Sequence, residues 1–485
     1  MITFLVSIAL LIIGFLVYGT FIDKMFEPND NRKTPAYAKN DGVDYVPMNK
    51  HKNALIQLLN IAGTGPIFGP IMGALFGPIA FIWIVVGSIF AGAVHDYLTG
   101  MISIRNRGAH IPELAGKFLG TVSKHIVNFF TLLLLLLVGT VFVTTPASLL
   151  SILLNGKVAV SVLIGLIFIY YFLSTILPID KIIGRFYPLF GGVLLIGTIG
   201  VGVMLLFSEY TIPELTFTNM HPENVPIFPI LFFTITCGAL SGFHATQSPI
   251  ISRTVKKESE GRYVFYGMMI AEAIIAMIWA AAAMSLLDGQ TLSEMINSGT
   301  PSAVVNEVSI TLLGAVGGTI AVLGAIVLPI TSGDTAFRAA RSIIADYIKI
   351  DQKKIVKRLA VALPLFIISA ILTQIDFNIL WRYFSWANQT TAVIALWIAT
   401  MYLYVKGKQY IVALIPAMFM SYLVFVYILS EKIGFNIDLT LSYYISIPLL
   451  IILVFAFFKK ARSNKANNLQ VDLPDESDQP YDKAI

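Results

Sequence analysis

The sequence has little cysteine and little charge. Its single cysteine, Cys237, excludes a disulfide framework and a multi-thiolate metal site within the chain, and a buried, inert thiol is its expected state. Charged residues make up only 13% of the 485 residues, whereas soluble domains carry about 25%. The sequence also contains no phosphate-binding loop, no paired Cys or His metal spacing and no nucleophile elbow. We therefore expect neither an enzyme nor a pump that hydrolyses ATP.

Long apolar runs dominate the sequence instead, and hydrophobic residues make up 56% of it. Runs of about 20 apolar residues predict transmembrane helices, so the expected fold class is an all-α polytopic membrane protein. The first run, 3–22, follows no basic segment and precedes no small-residue cleavage site, which favours a retained span over a signal peptide. The predicted spans number thirteen: 3–22, 54–76, 78–103, 122–154, 158–178, 184–207, 226–250, 262–287, 308–332, 356–374, 379–405, 409–430 and 440–459.

Lys and Arg are distributed unevenly between the two sides of this arrangement. If the loop 23–53 is cytoplasmic and the spans alternate, 30 of the 33 Lys and Arg residues fall on the inner side. Because basic loops stay in the cytoplasm, this predicts an outer N-terminus and a cytoplasmic C-terminus. Topology and contact with anionic lipid account for these charges, so no nucleic-acid partner is expected. The polar tail 461–485 is predicted to be disordered.

Helix-breaking residues interrupt the second apolar run. The stretch NIAGTGPIFGP, residues 60–70, contains three glycines and two prolines at membrane depth. Irregular backbone survives there only where it is packed in protein or lines a polar cavity. Close helix packing would explain the glycines but fits the prolines less well. We therefore predict a discontinuous helix whose half-helix ends face a cavity, with an anion favoured at the N-terminal end and a cation at the C-terminal end.

A second break, ALSGFHATQSP at residues 239–249, matches the first, because Gly63 aligns with Gly242 and Pro70 with Pro249. Each break is followed by four spans, and the two broken spans cross in opposite directions. This layout predicts the leucine-transporter-like 5+5 inverted repeat with one extra N-terminal and two extra C-terminal spans. The predicted organisation is an N-terminal span and loop (1–53), the repeats 54–207 and 226–405, two C-terminal spans (409–460) and the tail; segments 108–118 and 290–307 are predicted surface helices.

Ionisable residues inside spans are costly and usually functional. His95 and Asp96 in GAVHDYLTG form either a coupling pair or a packed interior pair. His244 lies in the second break, where it contacts substrate or a proton or is a satisfied interior histidine. Glu272 is a lone acid that either relays protons or pairs with another span, and the sequence does not decide between these roles.

Two further polar clusters lie in later spans. In ITSGDTAF, at the predicted inner end of the ninth span, hydroxyl and carbonyl oxygens facing the carbonyls of 60–63 would suit Na⁺. Asp334 in this cluster could instead carry a proton or pair with Arg338 one helical turn away. In SWANQTTA, four adjacent polar residues must place at least two side chains in the interior. The stripe Thr140, Thr144 and Ser148 favours helix–helix hydrogen bonding over a transport path.

Five motifs together resemble the carbon starvation protein A (CstA) family: NIAGTGPIFGP, GAVHDY, CGALSGFHATQSP, LPITSGDTAFRAAR and WANQTTAVIALW, in this order over residues 50–405. The resemblance implies a multi-pass transporter in the bacterial plasma membrane that scavenges nutrients when carbon is scarce. It implies peptide or pyruvate uptake, coupled to protons. It places functional residues at 63–70, His95, Asp96, 242–249, Asp334 and Asn388–Gln389.

The predicted function is secondary active symport of pyruvate or a short peptide, with H⁺ or Na⁺ as the coupling ion and no other cofactor. The substrate carboxylate is expected at the half-helix N-termini near 64–69 and 243–248. The residues predicted to contact substrate are Gly63, Thr64, Gly65, Pro66, Gly69, Gly242, Phe243, His244, Thr246, Gln247, Ser248, Asn388 and Gln389, and those predicted to couple ion movement are His95, Asp96, Thr331, Ser332, Asp334 and Thr335. The alternatives are an exchanger without a coupling ion, a membrane nutrient sensor and a channel. The sequence does not give the oligomeric state.

Overall fold

The computed structural model describes residues 1–42, 44–176, 179–350, 352 and 354–474, without the side chains of 179–188, 190 and 299. Every regular element in these residues is helical, which confirms the predicted class. The main helices are α1 (Ile2–Phe26), α2 (Lys50–Ala62), α3 (Gly65–Phe76), α4 (Ile79–Arg105), α5 (Ile111–Leu119), α6 (Thr121–Leu153), α7 (Val160–Ile176), α8 (Ile179–Phe207), α9 (Ile227–Thr234), α10 (Gly242–Ser252), α11 (Glu258–Leu286), α12 (Gly289–Tyr347), α13 (Ile355–Leu372), α14 (Phe377–Lys406), α15 (Ile411–Ser430) and α16 (Leu439–Ala466).

Eight of the described helices are long and apolar enough to cross a membrane, and the bent pair α2/α3 brings the number to nine. The eight are α1, α4, α6, α11, the part of α12 after residue 300, α13, α15 and α16. The other predicted spans correspond to α7, α8, the pair α9/α10 and α14. The count of thirteen and the orientation therefore stay predictions.

The order of helices follows the predicted repeat. A broken helix, α2/α3, is followed by α4, α6, α7 and α8, and a second broken helix, α9/α10, is followed by α11 to α14. The second halves of the broken helices pack in the centre, with α3 against α11 and α10 against both α4 and α14. The long helix α12 packs against both α6 and α8. The fold thus brings both breaks to the middle of the bundle.

The predicted surface segment 108–118 contains α5, whose apolar face is buried. Ile111, Leu114, Ala115 and Phe118 follow helical spacing and are almost fully buried, while Glu113 is exposed. The predicted counterpart 290–307 is the beginning of α12, which departs from helical geometry at Thr300 and Gly314. These two residues have φ values of 59° and 70°.

The cluster ITSGDTAF lies within α12, which does not end where the predicted span ends. The helix continues to Tyr347, about three turns beyond Thr335. No strong helix breaker follows the cluster, and Gly333 lets Tyr171 pack directly against the helix backbone. The apolar run ends at residue 332, but the helix continues, and residues of its later turns, among them Ala339, Ala340 and Ile343, are buried.

The tail also differs from the prediction over its described part. Helix α16 continues to Ala466, and residues 467–474 pack back onto the protein. The apolar residues Leu469, Val471 and Leu473 alternate with polar ones, and Val471 is 8% exposed. This short alternating pattern is enough to order a segment when a complementary surface is adjacent. Residues 475–485 of the predicted tail lie outside the described residues.

Candidate substrate and coupling site

The two helix breaks lie against each other. The chain bends by 47° between α2 and α3, and Gly63 adopts a φ of +47°, a region that side chains other than glycine rarely occupy. A side chain at Gly65 would overlap Cys237 in the second break. Glycine is therefore needed at 63 for the turn and at 65 for the close approach of the two breaks. The predicted proximity of the breaks is present.

A chain of four ionisable side chains begins beside the second break. His95 Nδ1 lies 2.8 Å from Asp96 Oδ1, and His244 Nδ1 lies 2.9 Å from Asp96 Oδ2. His244 Nε2 lies 3.3 Å from Glu272 Oε2. All four side chains are completely buried. We name this set, His95, Asp96, His244 and Glu272, the buried ionisable cluster; it joins α4, α10 and α11.

The His244–Glu272 contact differs from the other two in geometry. The distance is within ion-pair reach, but the atoms are not aligned for a hydrogen bond, and within the described residues neither His244 Nε2 nor the Glu272 carboxylate has a hydrogen-bond partner. Buried polar groups are normally satisfied, and an exception requires an explanation. This contact is therefore the one in the buried ionisable cluster whose hydrogen bonding can change.

Cys237 is buried, as predicted, but it lies in the site. Its Sγ, His244 Nε2 and a Glu272 carboxylate oxygen lie within 4.8 Å of one another, and these atom types can bind metal ions. The thiol already contacts Ser241 Oγ at 3.3 Å and lies 3.9 Å from Asn388 Nδ2. The thiol therefore lies where the second break, α14 and the buried ionisable cluster meet.

Asn388 and Gln389 of α14 face the interior and brace the second break. Asn388 Oδ1 accepts hydrogen bonds from the Phe243 amide at 2.8 Å and from Ser241 Oγ at 3.1 Å. Gln389 Nε2 donates to the Leu240 carbonyl at 3.1 Å. Asn388 thus fills part of the N-terminus of α10, where the sequence predicted a substrate carboxylate.

Several buried polar atoms around the breaks lack a hydrogen-bond partner among the described residues. They could bind a polar substrate or water, since an unsatisfied buried group is destabilising. In the breaks and beside them they are Thr64 Oγ1, Thr236 Oγ1, Gln247 Oε1, Ser248 Oγ and Gln389 Oε1. Thr246 is instead satisfied by the Phe243 carbonyl at 2.6 Å.

The third predicted site, in α12, is adjacent to the end of α2. Ser332 Oγ donates to the Leu59 carbonyl at 2.7 Å, while the hydroxyls of Thr331 and Thr335 bond to carbonyls of their own helix. Asp334 accepts from Ser174 Oγ at 2.7 Å and pairs with Arg338 at 3.2 Å. The alternative interpretation of Asp334, an ion pair one turn along the helix, is the arrangement present.

The stripe on α6 also forms helix contacts. Thr140 Oγ1 lies 2.9 Å from Ser369 Oγ of α13, and Thr144 bonds to carbonyls within α6. This agrees with the interpretation that the stripe serves helix–helix hydrogen bonding.

Sequence reasoning assigned no site role to Cys237, Ser241 or Ser174, and it left Glu272 undecided. The signals for the first two were present, because both lie inside the motif CGALSGFHATQSP. Ser174 and Glu272 lie in unremarkable apolar runs, and only the three-dimensional packing brings them to Asp334 and His244.

Comparison with known proteins agrees with this geometry. The sequence matches the family "Carbon starvation protein CstA" over residues 1–166 and 147–315. An uncharacterized membrane protein of Haemophilus influenzae is 46% identical over 352 residues, which cover 62% of this chain and 95% of that protein. The peptide transporter CstA of Campylobacter jejuni is 28% identical over 56% of this chain, and the pyruvate/proton symporter BtsT of Escherichia coli is 27% identical over 57%. The chain matches about half the length of these two transporters, 48% in each case.

Solved structures identify the architecture. A manganese transporter of Eremococcus coleocola superposes with a TM-score of 0.60 at 12% identity, covering 89% of this chain and 99% of that one. MhsT in complex with L-phenylalanine superposes with a TM-score of 0.53 at 13% identity, covering 85% and 99%. At this identity the likeness shows the fold alone.

The helix order, the touching breaks and these superpositions define a membrane protein of the leucine-transporter-like class, so the predicted fold is confirmed. Family and fold are those of transporters and not of enzymes. The chain belongs to the carbon starvation protein CstA family.

Proposed function

We propose that the protein is a secondary active transporter that takes up a small carboxylate-bearing nutrient together with protons during carbon starvation. The observation that carries the proposal is His244, a fully buried histidine in the second helix break whose two ring nitrogens face Asp96 and Glu272. Relatives named peptide transporters and a pyruvate/proton symporter support the choice of substrate and ion.

The geometry around His244 gives the proton a location. A carboxylate accepts hydrogen bonds, so the Nδ1 atoms of His95 and His244 both donate to Asp96. His244 Nε2 then faces Glu272 Oε2 at 3.3 Å. Two lone pairs facing each other in a buried site would repel, whereas a proton on either atom makes the contact attractive. The His244–Glu272 pair therefore acts as a single proton-binding unit. Whether it holds a proton depends on access from either side of the membrane.

The substrate carboxylate binds at the N-terminus of α3 in this proposal. The helix dipole favours an anion there, and the buried Thr64 hydroxyl has no hydrogen-bond partner among the described residues. The corresponding position of α10 is capped by Asn388. The anion would then lie beside Gly65, and the proton-binding unit lies beside Cys237, which packs against Gly65. Binding of one can alter the packing that holds the other.

A cavity at the predicted outer end offers the substrate a route to this site. It has a volume of about 520 Å³, and residues lining it include Phe233, Thr234, Trp381, Arg382, Ser385 and Tyr427. The lining residue Trp381 also contacts the first break, because its ring centroid lies 6.5 Å from that of Phe68, and Phe377 lies 6.2 Å from the same ring. In this proposal these aromatic rings, which join the cavity wall to the first break, form a gate in alternating access.

Uptake into proteoliposomes tests the proposal. Labelled pyruvate and a labelled dipeptide are offered under a proton gradient, a sodium gradient, both gradients or none. We expect one substrate to accumulate above equilibrium under the proton gradient alone. Asp96→Asn and His244→Ala should abolish accumulation, while His51→Ala, a change of a histidine on the surface, should not.

Each other outcome identifies an alternative. Accumulation under the sodium gradient alone would make Na⁺ the coupling ion in place of the proton. Ser332, whose hydroxyl contacts the Leu59 carbonyl, would then be the first residue to examine. Substrate exchange without accumulation under any gradient would indicate an exchanger. Binding without transport of either substrate would contradict the proposal and favour a sensor.

A further inference from the structure

The last described residues of the chain, 467–474, cross the end of the bundle that holds the loop 23–49. We name this segment the C-terminal strap. It leaves α16 at Ala466 and passes the ends of α4 and α14 and the amphipathic helix α5. These elements are far apart in sequence, since α4 belongs to the first repeat and α14 ends the second.

Asp472 supplies the charged contact of the strap. Its carboxylate lies 2.5 Å from Lys406 Nζ and accepts the Tyr402 hydroxyl at 2.7 Å, both on α14. It also lies 4.0 Å from a guanidinium nitrogen of Arg105 at the end of α4 and 3.9 Å from one of Arg32 in the loop. One carboxylate therefore faces three cations on three separate elements.

Main-chain contacts hold the strap on either side of Asp472. The Leu473 amide donates to the Arg105 carbonyl at 3.0 Å. The Val471 carbonyl accepts from Asn106 Nδ2 at 3.2 Å and from Lys117 Nζ at 3.0 Å. The Val471 side chain is 8% exposed, so the strap adds buried apolar area to these polar contacts.

Arg105 links the strap to the beginning of α11. Its guanidinium forms hydrogen bonds of 2.9 to 3.3 Å with the fully buried Glu258 carboxylate, and another of 3.0 Å with the Tyr402 hydroxyl. Tyr402 thus binds both Arg105 and Asp472. The strap closes a network that joins the first helices after each break, α4 and α11, to α14.

We propose that the C-terminal strap is an autoinhibitory latch that keeps this end of the bundle closed over the central site and must detach before the site opens there. The inference rests on the proposed function, because it assigns the strap to one step of alternating access. Opening an end of the bundle requires α4 and α14 to separate, and the strap contacts both. The latch slows opening without touching substrate.

The chain contains its own reporter for the test. Cys237 is the only cysteine, it lies at the contact between the two breaks, and it is 1% exposed. A small hydrophilic maleimide should react with it only when the central site opens. Labelling rates would be measured in inside-out and right-side-out vesicles that contain the full-length protein. This arrangement reports separately on opening toward each side.

Two variants release the latch in different ways. Asp472→Asn removes the charge and keeps the shape, and a chain ending at residue 468 removes the strap. We expect both to raise the labelling rate of Cys237 about three- to tenfold from the strap side only, because the loss of one partner of a partly buried charge pair shifts an equilibrium by about that factor. Asp472→Glu keeps the charge, so its labelling rate should lie between those of the wild type and Asp472→Asn.

Glu27→Gln is the matched control. Glu27 pairs with Lys408 at 2.6 Å at the same end of the bundle, but its carboxylate makes no contact with the strap. It should leave the labelling rate unchanged. If the truncated chain labels at the wild-type rate from both sides, or if no form labels at all, the latch is overturned.

The test separates the latch from the proposed function. If bound substrate slows the labelling of Cys237 and loss of the strap speeds it, both the latch and the proposed function are supported. Labelling that responds to the strap in a protein that transports neither pyruvate nor dipeptide supports the latch and removes the proposed substrates. Gradient-driven uptake with labelling insensitive to truncation supports the transporter and removes the latch.

Discussion

The side-chain oxygen of Asn388 accepts the Phe243 amide proton at 2.8 Å and so caps the second half-helix from α14. An asparagine oxygen is the neutral counterpart of the carboxylate that a helix N-terminus binds well. At the first half-helix, Thr64 at the start of α3 makes no side-chain capping bond among the described residues. The two breaks are therefore similar in backbone and different in what occupies them.

Charge at position 388 should weaken substrate binding. Asn388→Asp keeps the acceptor for the Phe243 amide and adds a negative charge close to the breaks, so we expect the KM for a carboxylate substrate to rise about tenfold, or about 1.4 kcal/mol. Counterflow in proteoliposomes measures this without a gradient. Thr390→Val is the control, because that hydroxyl bonds only within its own helix. An unchanged KM would place the carboxylate away from this end of the site.

Gly63 should not tolerate a side chain. Alanine there would adopt a positive φ, at a cost of roughly 1–2 kcal/mol, and would also overlap Phe142. Gly156→Ala separates the two effects, because Gly156 has a φ of +71° and nothing within 4 Å of the added carbon. Melting temperatures in detergent should fall further for Gly63→Ala than for Gly156→Ala, and uptake should be lost only in the former. Equal decreases would mean that strain alone acts.

Removing the proton acceptor should uncouple transport from the gradient. Glu272→Gln has the same shape as the native residue, but it cannot share a titrating proton with His244. We expect substrate counterflow to persist while proton-driven accumulation falls to the equilibrium level. Glu307→Gln, a change of an exposed carboxylate on α12, should keep accumulation. Full accumulation by Glu272→Gln would move the coupling proton to another residue.

The C-terminal strap should stay attached through the neutral and mildly acidic range. Burial opposes ionisation of Asp472, but the Lys406 ammonium, the Tyr402 hydroxyl and Arg105 outweigh it and hold the pKa of this carboxyl below its usual value. Arg32 also faces the group. A lowered folded pKa means that the stabilisation is complete above the unfolded value, about 3.9, and is lost as the pH falls through the folded one.

The measurement is protease cleavage of the strap as a function of pH. We expect constant protection from pH 8 down to about 5, a full unit above the unfolded pKa, with Asp472→Asn less protected throughout. Release of the wild-type strap already near pH 6 would contradict the assigned network and point to a histidine instead.

The architecture could be read from the sequence because its cause is local. Glycine and proline at membrane depth have few permitted environments, so GTGPIFGP and SGFHATQSP indicated broken helices before any packing was known. The interior positions of Asn388 and Gln389 followed from four adjacent polar residues on one helix. Each of these predictions depended on a single short stretch of the sequence.

The connections within the site could not be read in this way. Asp96 and His244 are 148 residues apart, and nothing in the sequence of either segment indicates that the other is its partner. The choice between a sodium ligand and an ion pair for Asp334 depended on where the flexible Arg338 side chain points. The strap was missed because three alternating apolar residues in a polar tail have no meaning until a docking surface is known.

The contact between Gly65 and Cys237 also restricts how this family can vary. The two positions lie 172 residues apart in sequence, yet neither can enlarge while the other stays as it is. A side chain at position 65 is expected only together with a smaller residue at position 237, because glycine at 65 cannot become smaller to accommodate a change at 237. The two repeats are therefore expected to evolve together at the positions where their breaks touch.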